Sequence, residues 1–187
     1  MNNYVKIFLV SLLITILSIL RETFYPFMPT KPTPTDYIYI YTLRFIHFYL
    51  FIYTAYFLLF FDLNMFDMYI YLIVIFIVTV LWYIIESCML SYLELSYYNI
   101  DLENTKTTFH STFYSLFEDY TGIIMIISGI LYLMNVSVIL YKCVLSIQYK
   151  LLYYILFLLL FFDSFYKSRI HTKYYSTLIS IKMPESI

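Results

Sequence analysis

The sequence predicts an all-α, multi-pass membrane protein with four to five transmembrane helices and one amphipathic helix at the membrane interface. Three observations predict this fold class. The chain of 187 residues is 63% hydrophobic and only 12% charged, whereas soluble domains carry about 25% charged residues. Its mean hydropathy is +0.80. The uncharged run from Met68 to Ile85 gives about 27 Å of helix at ~1.5 Å per residue, close to the ~30 Å hydrocarbon thickness of a bilayer.

Composition and charge exclude several classes of function. The net charge of −1 does not favour nucleic acid, so the expected partners are membrane lipids and other protein subunits. Two cysteines and three histidines, His47, His110 and His171, are too few and too scattered for a disulfide framework or a metal site. No cofactor or metal is therefore expected. The 24 Tyr and 18 Phe beside two Gly are typical of an A/T-rich genome, as in organelles, large DNA viruses and some protists.

The first predicted span covers residues 4–20. Its uncharged part, Ile7–Leu20, is short enough for the core of a signal peptide, but no small-x-small cleavage site follows it. A retained helix with Lys6 reaching the interface is the preferred interpretation. The four prolines of residues 26–34 exclude a helix there and predict an extended segment outside the hydrocarbon.

The second and third spans are predicted as a helical hairpin. Tyrosines at alternate positions of residues 37–41 have strand periodicity, but tyrosines at the interface leading into a helix explain them better. Arg44 is expected to anchor the entry of the second span, 45–61. A polar turn at 62–67 then leads into the third span, 68–85.

The polar loop 86–119 contains six acidic residues and one basic residue. Its second half has apolar residues at helical spacing, which predicts an amphipathic helix. The side chains expected to dock on a partner are Phe109, Phe113, Leu116 and Phe117. The opposite side carries Glu118 and Asp119 without Lys or Arg, and anionic lipids would repel it. A neighbouring protein is therefore favoured as the docking partner.

The remaining spans are predicted at 120–141 and 151–166, followed by a polar tail at 167–187, all within one membrane domain. The last apolar segment is short, so the number of spans is four or five. The distribution of Lys and Arg places the tail in the cytosol or matrix with either number. With five spans Cys88 and Cys143 lie at opposite membrane faces, so no disulfide is expected between them.

Few residues qualify for chemistry, and no catalytic residue is expected. Glu86 ends the third span, where a carboxylate could handle protons or lie at the interface as an ordinary boundary residue. For His47 an interfacial hydrogen bond is preferred to haem ligation, which would need a second facing histidine. Cys88 has no basic neighbour in sequence, and Glu86 would raise its pKa. HExxH, GxSxG, P-loop and GxGxxG motifs do not occur.

The stretch from Cys88 to Glu94 reads Cys-Met-Leu-Ser-Tyr-Leu-Glu. It resembles a short C-x-L-[ST]-x-x-E string of small multi-pass membrane proteins of unknown function in bacteria and large DNA viruses. The resemblance covers about thirty residues that include Trp82, with only a few fixed positions, and Met89 stands where those proteins usually carry proline. It implies a multi-pass fold without assigning an activity.

In size and number of spans the chain resembles the sixth membrane subunit of respiratory complex I, a hydrophobic organelle-encoded family. The Tyr-x-Gly-Ala pattern of that family's third span is absent, because residues 69–72 read Tyr-Ile-Tyr-Leu. This resemblance implies a non-catalytic structural or assembly subunit in the mitochondrial inner membrane, with the tail in the matrix. The alternatives are a free-standing protein of viral or endomembrane origin, or a small carrier or enzyme that uses Glu86 and Glu94.

Overall fold

The computed structural model of the protein describes residues 2–24, 32–85, 88–98, 113, 116–117 and 120–182. After Ser164 it describes the side chain of Tyr166 alone. All regular elements in this part of the chain are helices, which confirms the all-α fold class. Four of them are long and apolar enough to cross a membrane, and the chain is therefore an integral membrane protein.

Seven helices follow one another in the described residues. They are α1 (Asn3–Phe24), α2 (Pro34–Ala55), α3 (Phe57–Phe60), α4 (Met65–Ile85), α5 (Met89–Ser96), α6 (Thr121–Lys142) and α7 (Ile147–Lys182). The four membrane-length apolar segments are α1, α4, α6 and the first half of α7, Ile147–Ser164.

Helix α2 begins well before the predicted second span. Thr33 caps it, because its hydroxyl accepts a hydrogen bond from the backbone N–H of Asp36 at 3.3 Å. The Asp36 carboxylate accepts one from the backbone N–H of Thr33 at 3.0 Å, which completes a capping box with Pro34 in the first turn. Residues 37–41 therefore lie in a helix, as their interfacial interpretation predicted, and not in a strand.

Side-chain contacts show which helix ends lie together. The Tyr4 hydroxyl donates to Asp67 Oδ1 at 2.8 Å, and the Tyr69 hydroxyl donates to the carbonyl of Val144 at 3.2 Å. The beginnings of α1 and α4 and the link between α6 and α7 thus lie at one end of the bundle, hereafter the first end. The ends of α1 and α4, together with α5, lie at the opposite, second end. Cys143 at the first end and Cys88 at the second are both free thiols.

A break between α2 and α3 interrupts the segment predicted as one continuous span. The helix stops at Ala55, which leaves backbone carbonyls without intrahelical donors. The side-chain amide of Asn135 donates to the carbonyls of Thr54 at 2.8 Å and Ala55 at 2.9 Å. The Tyr71 hydroxyl also donates to Thr54, at 2.8 Å. A break inside an apolar bundle requires such partners, because lipid supplies no hydrogen bonds.

Aromatic rings fill the core beside this break. The ring centroids of Phe57 and Tyr71 are 4.5 Å apart, and those of Tyr53 and Phe61 are 5.5 Å apart. The outer faces of α1, α4, α6 and α7 expose many large apolar side chains, as expected of helices whose surroundings are lipid tails. The core thus holds the helices together, while the bundle surface suits contact with lipid.

Candidate functional site

The candidate site lies where α5 covers one side of α2 at the second end. Arg44 and His47 are three residues apart on α2, so they share one helical face. A second row with the same spacing belongs to α5. It consists of Cys88, which immediately precedes the helix, and of Ser91 and Glu94 within it. These two rows of side chains meet and form an ionic cluster next to a thiol–imidazole pair.

The ionic cluster is centred on Arg44, whose side chain is 0% exposed. Its Nη2 lies 2.6 Å from Glu94 Oε1, and its Nε donates to the same oxygen at 3.1 Å. Its Nη1 lies 2.7 Å from Glu22 Oε2 and 3.0 Å from the Ser18 hydroxyl. The Tyr98 hydroxyl accepts from Nη2 and donates to Glu22. One guanidinium therefore links α1, α2 and α5.

This cluster corrects the expected role of Arg44. The sequence predicted an interfacial anchor, whereas the side chain is fully buried beneath α5. Buried charges are tolerated when they are paired and hydrogen-bonded, and the Glu94 carboxylate, itself 0% exposed, meets this requirement. Glu94 thus contributes to holding α5 against α2.

The thiol–imidazole pair lies one helical turn beyond Arg44 on α2 and consists of Cys88 and His47. The Sγ of Cys88 is 3.3 Å from Nε2 of His47. Burial alone would raise the pKa of the Cys88 thiol, but His47 and the backbone amides of Leu90 and Ser91 at the start of α5 lower it to about 7. The expectation that Cys88 lacks a basic partner was therefore wrong, because the partner comes from a residue 41 positions away in the chain.

An apolar cavity of about 190 Å³ opens beside this pair. Residues of α2, α4 and α6 form its walls, and Cys88 and His47 lie in its lining. Trp82, the single tryptophan of the chain, also lines it. Leu81 and Met89 line the cavity and are exposed on the bundle surface. The lining of the cavity therefore includes both surface residues and the residue that carries the thiol.

The residues expected to dock on a partner differ in their burial. Phe113 is 2% exposed and packs against α2, with ring centroids 5.1 Å from His47 and 4.6 Å from Phe51. It lines the cavity, so its apolar surface is used within this chain. Leu116 and Phe117 are half-buried. Phe109 and the proton-handling candidate Glu86 lie outside the described residues.

Sequence reasoning missed the pairing of α2 with α5, although signals for both rows of side chains were present. The C-x-L-[ST]-x-x-E string contains Cys88, Ser91 and Glu94 at a spacing of three, and these residues form the face of α5 that meets α2. Arg44 and His47 repeat that spacing inside an otherwise apolar helix. A search for two matching rows of polar residues would have paired them.

The described residues hold no group of three or more His, Cys, Asp or Glu side chains suited to a metal ion. The groups that the structure brings together here are a thiol next to an imidazole and a buried ionic cluster. Comparison with known proteins adds no family, since no family model, curated protein or solved structure matches the chain.

Proposed function

We propose that this protein binds an apolar ligand within the membrane and presents the ligand's polar end to Cys88 and His47. The observation that carries this proposal is the thiol–imidazole pair, 3.3 Å apart, in the wall of an apolar cavity. Ligand sites of proteins are typically concave and mostly apolar, with a few polar groups that fix the ligand's orientation. The cavity meets this description.

The volume of the cavity limits what can occupy it. Its 190 Å³ is close to the roughly 150 Å³ of an engineered apolar cavity that binds benzene. It therefore holds a ring or a short alkyl segment rather than a whole lipid. The exposed Leu81 and Met89 at its edge leave a longer chain free to continue into the bilayer. A ligand with an acyl chain fits both features.

Photo-crosslinking tests this binding. The full chain is reconstituted in lipid nanodiscs with an octanoic acid that carries a diazirine, and adducts are mapped by mass spectrometry. We expect adducts on the cavity face of α4, which includes Thr79 and Trp82. Val78→Phe fills the cavity and should lower their yield at least fivefold. Val80→Phe adds the same ring to α4 outside the cavity lining and should leave the yield unchanged.

Two results would contradict the proposal. One is an equal adduct yield in the Val78 and Val80 variants. The other is adducts that fall on lipid-facing residues such as Ile73 and Ile77, both exposed on α4, as often as on cavity residues. Either result would mean that the probe reports general contact with lipid.

A second candidate function is that of a non-catalytic structural or assembly subunit in a larger membrane complex. Helix α7 favours it, because the helix runs without interruption to Lys182 although its sequence becomes polar after Tyr166, with Lys167, Arg169 and Lys173. Most of the stability of helices in proteins comes from tertiary packing, so a neighbouring protein would stabilise the extension. Deletion of residues 165–187 should then release the chain from its complex on native gels while it remains in the membrane. Unchanged co-migration of the truncated chain would contradict this role.

We propose the mitochondrial inner membrane as the location of that complex, with the C-terminal tail in the matrix. The A/T-rich composition and the Lys and Arg distribution support this assignment. Protease added to intact mitoplasts should leave a C-terminal tag protected. Cleavage of the tag there would overturn the orientation, and a chain that fractionates with virions or endomembranes would support the alternative origins.

A further inference from the structure

We propose that Cys88 is the nucleophile of an acyl transfer reaction and that His47 is its general base. The proposal rests on the binding of an apolar ligand proposed above, and it adds a reaction and a substrate class. The substrate is a fatty acyl ester or thioester whose carbonyl carbon lies at Cys88 and whose first methylenes occupy the cavity.

The local geometry supplies the elements that thiol catalysis requires. A cysteine is activated when an imidazole lies within hydrogen-bonding distance, and Sγ and Nε2 are 3.3 Å apart. Cys88 also immediately precedes α5, and the first amides of a helix have no intrahelical acceptor. Amides in this position stabilise negative charge, here that of the attacking sulfur, which the amides of Leu90 and Ser91 contact.

The buried hydroxyl of Ser91 lies on the face of α5 that carries Cys88. Ser91 follows Cys88 by one helical turn and is 2% exposed. Its Oγ makes no hydrogen bond within the part of the chain that the structure describes. A buried hydroxyl without a partner is costly, and a leaving group that extends from Cys88 along this face, outside the cavity, would provide one.

The reaction balances in two steps. His47 accepts the thiol proton of Cys88, the sulfur bonds to the acyl carbon, and the bond from that carbon to the leaving oxygen or sulfur breaks. The leaving group takes the proton from His47. Water or an alcohol then gives its proton to His47 and bonds to the acyl carbon, the carbon–sulfur bond breaks, and the proton returns to the thiolate. No oxidant or metal is consumed.

The ionic cluster gives this pair a fixed position. Arg44 and His47 belong to one face of α2, and Glu94 and Cys88 belong to the facing side of α5. The two contacts of Arg44 with Glu94, at 2.6 and 3.1 Å, hold α5 against α2 and thereby hold the sulfur near the imidazole. Arg44 and Glu94 are positioning residues in this reaction.

Thioester formation is tested with the full chain in nanodiscs and an ω-alkynyl octanoyl thioester. After a fluorophore is coupled to the alkyne, we expect a labelled band that neutral hydroxylamine removes and that maps to Cys88. Cys88→Ala should abolish the label, whereas Cys143→Ser should retain it. His47→Gln should lower the initial labelling rate at least tenfold. Its melting temperature should equal that of the Cys143→Ser variant, which would show that the lower rate does not come from unfolding.

The second cysteine separates catalysis from spontaneous acylation. Labelling of Cys143 at the same rate as Cys88, or an unchanged rate in the His47 variant, would overturn the proposal. If His47→Gln does not fold, His47→Asn, which retains a polar amide, provides the same comparison. Normal photo-crosslinking in the cavity without a thioester at Cys88 would overturn the reaction and leave ligand binding intact, so the two proposals fail separately.

Discussion

The two ends of the bundle bury their polar groups in different ways. Nearer the first end, neutral donors reach backbone carbonyls, as when Asn135 satisfies the broken end of α2 at 2.8 and 2.9 Å. At the second end, Arg44 meets two carboxylates and a tyrosine. The neutral contacts join α4 and α6 to the end of α2, beside the apolar core. The charged contacts attach α5, a short helix that carries Cys88 next to its first turn.

The two cysteines show the same difference. Cys143 is buried at the first end, and burial raises the pKa of its thiol, with an opposing effect from Lys150. Cys88 experiences the same effect of burial, but His47 overcomes it and the pKa falls to about 7. The pKa of each thiol therefore depends on the side chain that the facing helix places next to it.

The largest effect is expected from removal of the charge at the centre of the ionic cluster. Arg44→Leu removes the positive charge that pairs with Glu22 and Glu94, and breaking a buried ion pair costs about 3–5 kcal/mol. The free energy of unfolding, measured by SDS titration in mixed micelles, should fall by that amount. Lys142→Leu removes an exposed base and should change it by less than about 0.5 kcal/mol. Equal losses of unfolding free energy in the two variants would mean that the ionic cluster does not hold α5 against α2.

The second effect concerns the pH dependence of thiol alkylation. The thiolate is the reactive form, so alkylation of Cys88 by iodoacetamide should rise with pH and reach half its maximum near pH 7. In His47→Gln the thiol keeps the burial that raises its pKa and loses the imidazole that lowers it. The half-maximum should then move to higher pH, and the alkylation rate at pH 7 should fall by about tenfold for each pH unit of that shift. Identical profiles would show that His47 does not activate the thiol.

The third effect tests the neutral contacts. Asn135→Leu keeps the number and branching of the side-chain heavy atoms but removes both hydrogen bonds to the break in α2, and each buried carbonyl left without a donor costs about 1–3 kcal/mol. Tyr71 still donates to Thr54, so the loss should stay near the lower bound for a single carbonyl. Thr42→Val removes an exposed hydroxyl bonded within its own helix and serves as the control in the same SDS titration. A loss as large as that of Arg44→Leu would remove the contrast between the two ends.

The sequence predicted the fold class because it depends on long apolar runs. The run Met68–Ile85 appears as α4, Met65–Ile85, and the predicted span 120–141 appears as α6. The break after Ala55 was missed, because residues 45–61 remain apolar throughout and the cause lies in Asn135 and Tyr71, which are distant in sequence. Local periodicity contains no information about such contacts.

The candidate site was predictable only in part for the same reason. Cys88 and Glu94 belong to a string that the sequence analysis singled out, yet their partners lie on α2. An Arg in an apolar segment was interpreted as an interfacial anchor, because its burial depends on α5, which covers it. The geometry of a site formed by two distant helices follows from tertiary packing, and the sequence specified only the spacing on each helix.

The smallest effect concerns the hydroxyl of Tyr98. It tests whether Arg44 and its two carboxylates alone hold α5, or whether every member of the ionic cluster is required. Tyr98→Phe removes the hydroxyl that accepts from Arg44 at 3.1 Å and donates to Glu22, but it preserves the contacts of Arg44 with both carboxylates. We therefore expect a loss of about 1 kcal/mol. Hydrogen exchange at the amides of α5 should accelerate by about fivefold, since local opening of that helix becomes easier by the same free energy.

Tyr97→Phe is the matched control for this variant, because Tyr97 stacks on Tyr39 with ring centroids 5.2 Å apart and the substitution preserves the ring. It should leave the exchange of α5 unchanged. If Tyr98→Phe costs as much as Arg44→Leu, the hydroxyl is essential to the whole network and the guanidinium alone does not hold α5. If exchange accelerates in α1 and α2 as strongly as in α5, the cluster stabilises the bundle as a whole, and the distinction between its two ends would disappear.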